Sequence, residues 1–124
     1  MTTPRLFFAF GALCLLIGMA WGIHMSASGY HALSPAHAHL NLVGFVLASI
    51  FGGWYALAPT AQAGMLGRIH LVLHAAAVVV MVPGIVFAIQ GTGETGAKIG
   101  SVLAILSGLM FLVQVLRHPI GRPA

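Results

Sequence analysis

Four stretches of this chain are each long and apolar enough to cross a lipid bilayer, and little lies between them. A crossing helix needs about 20 apolar residues, and the runs over 6–23, 36–58, 69–89 and 97–116 supply them. The breaks at 26–35, 59–67 and 91–96 concentrate Gly, Pro, Ser and Thr, which end helices and form turns. Connections this short set each helix antiparallel beside its predecessor. The sequence therefore predicts an all-α integral membrane four-helix bundle, with residues 1–124 as a single domain. A water-soluble fold is excluded, because 60% of the residues are hydrophobic and 5% charged, too few polar groups to coat a globule.

The few cations give an orientation. Arg5, Arg68, Arg117 and Arg122 fall at one end of the bundle, and Lys98, beside Glu94, falls at the other. Basic residues collect on the cytoplasmic side of short loops, so both termini are expected to be cytoplasmic, in a bacterial-type inner membrane crossed several times. The first run also has features of a secretory signal, with Arg5 ahead of it and Ser26-Ala27-Ser28 behind. It is longer than the roughly 7–15 residues of a typical signal core, and a retained helix is expected. The cations are scattered singly, which argues against nucleic acid and leaves membrane lipid as the constant partner. Cys14, the sole cysteine, cannot form an intrachain disulfide and reads as a packed thiol.

Seven histidines against a single acid is an unusual balance for a chain in lipid. A neutral imidazole brings a metal ligand into hydrocarbon without a formal charge. His37 and His39 are two residues apart, so at about 100° per residue their rings point roughly 200° apart and address different sites. His70 and His74 stand one turn apart on one face, the spacing by which a helix offers two imidazoles to copper or zinc. His24 closes the first helix at the same end as His39. His118, next to Arg117, reads as structural. The plainer alternative is that the histidines only bridge helices, each contact contributing about 1 kcal/mol or less.

The run AHAHLNLVGFVLASIFGGWYALAP, Ala36 to Pro59, resembles the tenth transmembrane helix of heme-copper oxidase catalytic subunits and its counterpart in nitric-oxide reductases. The likeness lies in the His-x-His pair, Gly52-Gly53, Trp54 and the exit proline Pro59. It continues into Gly67 to His70, similar to the basic-Ile-His start of the family's next helix, and to Pro83. The resemblance implies heme b as the cofactor. It makes His37 the counterpart of the gas-binding heme's ligand and His39 one ligand of the electron-transfer heme, with His24 as the intrachain candidate for the second. The departures are equally clear: no adjacent His-His pair, no His-Pro-Glu segment, and no acid besides Glu94. The chain is thus not a complete oxygen reductase by itself, and oxidoreductase activity is expected only from an oligomer or with a redox partner protein. Ligands facing opposite ways suggest a cofactor shared between copies. The family's core is built as three similar arcs, so a homotrimer is the expected homo-oligomer.

The functional expectation is a small heme-binding membrane protein acting in electron transfer or diatomic-gas (O2 or NO) handling. The alternatives are a copper- or zinc-binding metal carrier or oxidase assembly factor using His70 and His74, and a non-catalytic structural subunit. Small residues at Gly18 and Gly22, and at Gly96, Gly100, Ala104 and Gly108, mark faces where helix backbones approach closely, within one bundle or between copies. Pro83-Gly84 is expected to kink the third helix. Tyr30, Trp54 and Tyr55 are expected to be interfacial anchors.

Overall fold

The computed structural model describes residues 1–121; Arg122, one of the cations counted above, lies outside the described residues. The helices are α1 (Thr3–Ser28), α2 (Ser34–Leu57), the short α3 (Pro59–Ala63), α4 (Met65–Ile89) and α5 (Thr95–Arg117). All but α3 are long and apolar enough to cross a membrane. Each outruns its apolar core at one end or both, because hydropathy marks only the residues inside hydrocarbon, whereas caps and prolines set where a helix stops. Pro4 and Pro35 occupy first-turn positions of α1 and α2, where their missing N–H is no loss. α1 ends at Gly29, whose φ of 70° is left-handed and whose N–H returns to the Met25 carbonyl. Pro83 is accommodated within one continuous α4.

Three contacts gather the ends. Arg68 Nη2 donates to the Met1 carbonyl (3.1 Å), Gly121 N–H donates to the Leu57 carbonyl (2.9 Å), and His118 Nδ1 meets Thr60 Oγ1 (3.0 Å). The starts of α1 and α4 and the ends of α2 and α5 thus share one end of the bundle, as antiparallel neighbours require.

Small residues set the helix spacing. α1 buries Phe7, Gly11, Cys14, Gly18 and Met25 along one stripe against α2. A Cβ on Gly44 would lie 2.8 Å from Cys14 Sγ, so the packed thiol expected at Cys14 needs that glycine. Of the Gly52-Gly53 pair, Gly52 faces α1, where a Cβ would be 3.0 Å from that of Phe7, whereas Gly53 faces open space. α4 and α5 pack backbone on backbone: a Cβ on Gly84 would run into Gly96 and Ala97, and one on Gly100 into Met81. The first half of the α5 small-residue stripe is thereby used inside the bundle, while Gly108 meets nothing.

The outward faces carry Leu16, Ile23, Val72, Val79, Ile105 and Leu116, all exposed. An apolar exterior of this kind is compatible with lipid. The core has two halves. One surrounds Phe7, Phe51 and Tyr55 near the termini, and the other surrounds Cys14, Leu40, Val78 and Val82 toward the opposite end.

Candidate functional site

The histidine pair in the first turns of α2 is splayed. His37 is half-buried and turns toward α1, where its Nε2 lies 2.9 Å from the Gly18 carbonyl and its ring is edge-on to Trp21 at 6.0 Å. Gly22 keeps this approach open, since a Cβ there would be 3.2 Å from His37 Nε2. A carbonyl only accepts, so His37 Nε2 carries the proton. The Asn41 amide nitrogen, 3.1 Å from the same Nε2, is then a second donor facing a donor, and its hydrogen bond goes instead to the His37 carbonyl at 3.2 Å.

That carbonyl is the one Asn41 N–H would use in a regular α-helix. It lies just ahead of Leu40–Leu47, which forms a π-helix between two α-helical halves.

His39 points the other way and is exposed. Its Nδ1–H donates to the Pro35 carbonyl at 2.7 Å, which leaves the lone pair on Nε2, at the surface. Histidines that bind metal commonly carry this arrangement, in which a backbone carbonyl fixes ring and tautomer. His39 therefore fits an axial ligand to heme iron. His37, with Nε2 occupied by Gly18, does not offer that nitrogen in this packing. His24 is exposed at the last turns of α1, and His31 is exposed in the loop.

The aligned pair lies deep in the other half of the bundle. His70 and His74 on α4 have ring centroids 6.3 Å apart and are enclosed by Phe7, Phe51 and Phe111. Tyr55, His70, His74, Ser107 and Gln114 are each at most 1% exposed. They form a single chain of hydrogen bonds: Gln114 Nε2 to Tyr55 Oη (3.2 Å), Tyr55 Oη to His70 Nδ1 (3.0 Å), His70 Nε2 to Ser107 Oγ (3.1 Å), Ser107 Oγ to His74 Nδ1 (3.1 Å), and His74 Nε2 to the Val43 carbonyl (3.0 Å).

The last link fixes the direction of all the others. The Val43 carbonyl accepts, so His74 Nε2 is protonated and Nδ1 receives the Ser107 hydroxyl. Ser107 oxygen then accepts from His70 Nε2–H, His70 Nδ1 accepts the Tyr55 hydroxyl, and Tyr55 oxygen accepts from Gln114. Both imidazoles are neutral in this scheme, in a site without a carboxylate. The one buried polar side-chain atom left without a partner among the described residues is Gln114 Oε1.

All four ring nitrogens of His70 and His74, expected as a metal pair, are thus engaged with protein oxygens. No third His, Cys, Asp or Glu joins them among the described residues. As they stand, they do not fit a copper or zinc centre.

Tyr55 is the clear revision of the sequence reading. It is fully buried and bonded to His70, not an interfacial anchor. Being near a helix end locates a residue in depth but not in azimuth, and the face that carries Phe51 and Tyr55 turns inward. Ser107 and Gln114 were not singled out from the sequence. Their signal was available, since Gln114 is the one amide inside the last apolar run.

No protein-family model, characterised protein or solved structure matches this chain. The likeness of α2 and α4 to oxidase helices rests on the motifs themselves.

Proposed function

We propose that the chain is a small heme-binding integral membrane protein resembling part of a heme-copper oxidase core, acting in electron transfer or diatomic-gas handling in a bacterial-type inner membrane. The observation that carries this reading is His39: Nδ1–H held by the Pro35 carbonyl, Nε2 free, and the ring on the outside of the bundle. A bridging histidine of purely structural role would turn its ring inward, as His37, His70 and His74 do.

Heme b, when bound, supplies an iron that takes up and releases one electron or holds a diatomic ligand. This chain's residues would orient and insulate it. Pro35 sets the His39 ring angle and raises its basicity through the shared proton. The surrounding apolar exterior excludes water. His39 would hold the heme together with His24 of the same chain or a histidine of another copy, and an outward-facing ligand favours a cofactor at a contact between copies. The homotrimer is the assembly proposed, with a separate redox partner protein exchanging electrons.

His70 and His74 have a different part in this reading. Their network ties α2, α4 and α5 together in the half of the bundle near the termini and holds the helix that presents His39.

The purified protein is expected to be red, with a Soret band and a dithionite-induced α band. His39→Ala should remove most of the low-spin signal, and His118→Ala, at the other end of the bundle, should leave it. A colourless wild type, or equal heme content in both variants, refutes the assignment.

A further inference from the structure

Where the ends of the bundle gather near the termini, a polar groove of about 590 Å³ opens between α1, α3 and the start of α4. It is lined by Thr2, Thr3, Pro59, Gln62 and Arg68, among others. Thr3 is 2% exposed, with its methyl toward Gly67. Arg68 commits one N–H to the Met1 carbonyl, which aims the guanidinium and leaves its other donors free.

No side-chain carboxylate competes for those donors. The only acid, Glu94, is paired with Lys98 at the far end of the bundle, 3.2 Å away from its ammonium. The start of α1 adds unsatisfied backbone N–H groups beside Thr3. The Arg68 guanidinium, the threonine hydroxyls and the Gln62 amide N–H groups thus suit an anion with several acceptor oxygens.

The groove also continues into hydrocarbon. Arg68 lines a second, almost wholly apolar cleft of about 470 Å³ with Ile69, Val72, Leu73 and Ala76. Val72 and Ala76 in turn belong to a third apolar cleft of about 630 Å³ between α1 and α4. A cationic, hydroxyl-lined head thus joins apolar furrows that run along the outside of the bundle, matching in outline a phosphate head with acyl chains below it.

We propose that this is a specific site for an anionic phospholipid, with the headgroup phosphate between Arg68, Thr3 and Gln62 and an acyl chain along α4. Basic pockets between membrane helices bind phosphate headgroups by this combination of charge and fit, and Arg engages phosphate through paired N–H donors. The assignment is independent of the histidines and of heme.

Native mass spectrometry of the full chain, released from micelles containing phosphatidylglycerol and phosphatidylcholine in equal amounts, tests it. Wild type should retain phosphatidylglycerol about tenfold over phosphatidylcholine, and Arg68→Gln should abolish that preference, the loss expected for a charge-assisted pair. Thr3→Val, which keeps shape and charge, should weaken retention severalfold, so the outcome does not hang on Arg68→Gln folding. Lys98→Gln removes the same charge elsewhere and should change nothing. Equal retention of the two lipids by wild type, equal losses in Arg68→Gln and Lys98→Gln, or displacement of the lipid by inorganic phosphate would overturn the proposal; the last would make the groove a site for free phosphate.

Discussion

Ser107→Ala is the sharpest perturbation of the buried network. One hydroxyl joins two rings, donating to His74 Nδ1 and accepting from His70 Nε2, each at 3.1 Å. Removing it strands one acceptor and one donor together. Bridging hydrogen bonds between membrane helices average only about 0.6 kcal/mol, because a polar group usually finds another partner. That escape is closed here. His74 is held at its other nitrogen by the Val43 carbonyl, His70 by Tyr55, and both rings are packed among Phe7, Phe51 and Phe111. Nor does deleting one oxygen leave room for water, which needs a cavity of roughly 10–15 Å³ and two or more polar partners. With each stranded group costing about 1–3 kcal/mol, and partial relaxation of the helices, Ser107→Ala should destabilise the bundle by about 2–3 kcal/mol.

Reversible unfolding in mixed micelles of rising dodecyl sulfate content, followed by tryptophan fluorescence, measures this. The double variant His70→Phe/Ser107→Ala should cost less than the sum of its singles by more than about 0.5 kcal/mol, because the His70 donor is then no longer there to be stranded. A cost for Ser107→Ala near the 0.6 kcal/mol average, with additive singles, would show that the rings re-aim freely and that the chain of fixed direction is wrong.

Two further expectations follow from the same geometry. Gly100→Ala places a methyl against the Met81 backbone and should destabilise the α4–α5 hairpin by about 1–3 kcal/mol, whereas Gly108→Ala, which meets nothing, should be neutral or stabilising by up to about 1 kcal/mol; similar losses in both would place the second half of the stripe in a contact between copies. Nitrogen-15 spectra of the histidine side chains should show Nε2–H tautomers for His70 and His74 and the opposite, Nδ1–H, tautomer for His39; an Nε2–H signal at His39 would remove the basis for its proposed role as a heme ligand.

What could be read from the sequence divides along physical lines. The four helices of membrane-crossing length were legible because hydrocarbon thickness imposes a length, and composition over about 20 residues averages out local detail. The splay of His37 from His39 and the alignment of His70 with His74 were legible as angles on a helix, since 3.6 residues per turn fixes azimuth within one element. Azimuth between elements is set by packing, and it decided everything the sequence left open. Tyr55 and Trp54 are neighbours in α2 at the same depth, yet Tyr55 is wholly buried against His70 and Trp54 only partly so, and no periodicity distinguishes them in a helix apolar all round. The partner of the histidine pair, Ser107, sits on α5, 33 residues beyond His74. The π-helix over Leu40–Leu47 had no cue in a run that is apolar apart from Asn41. Function follows the same divide. Residue spacing shows that His39 points away from His37, but only the 2.7 Å contact to the Pro35 carbonyl shows which of its nitrogens is left free.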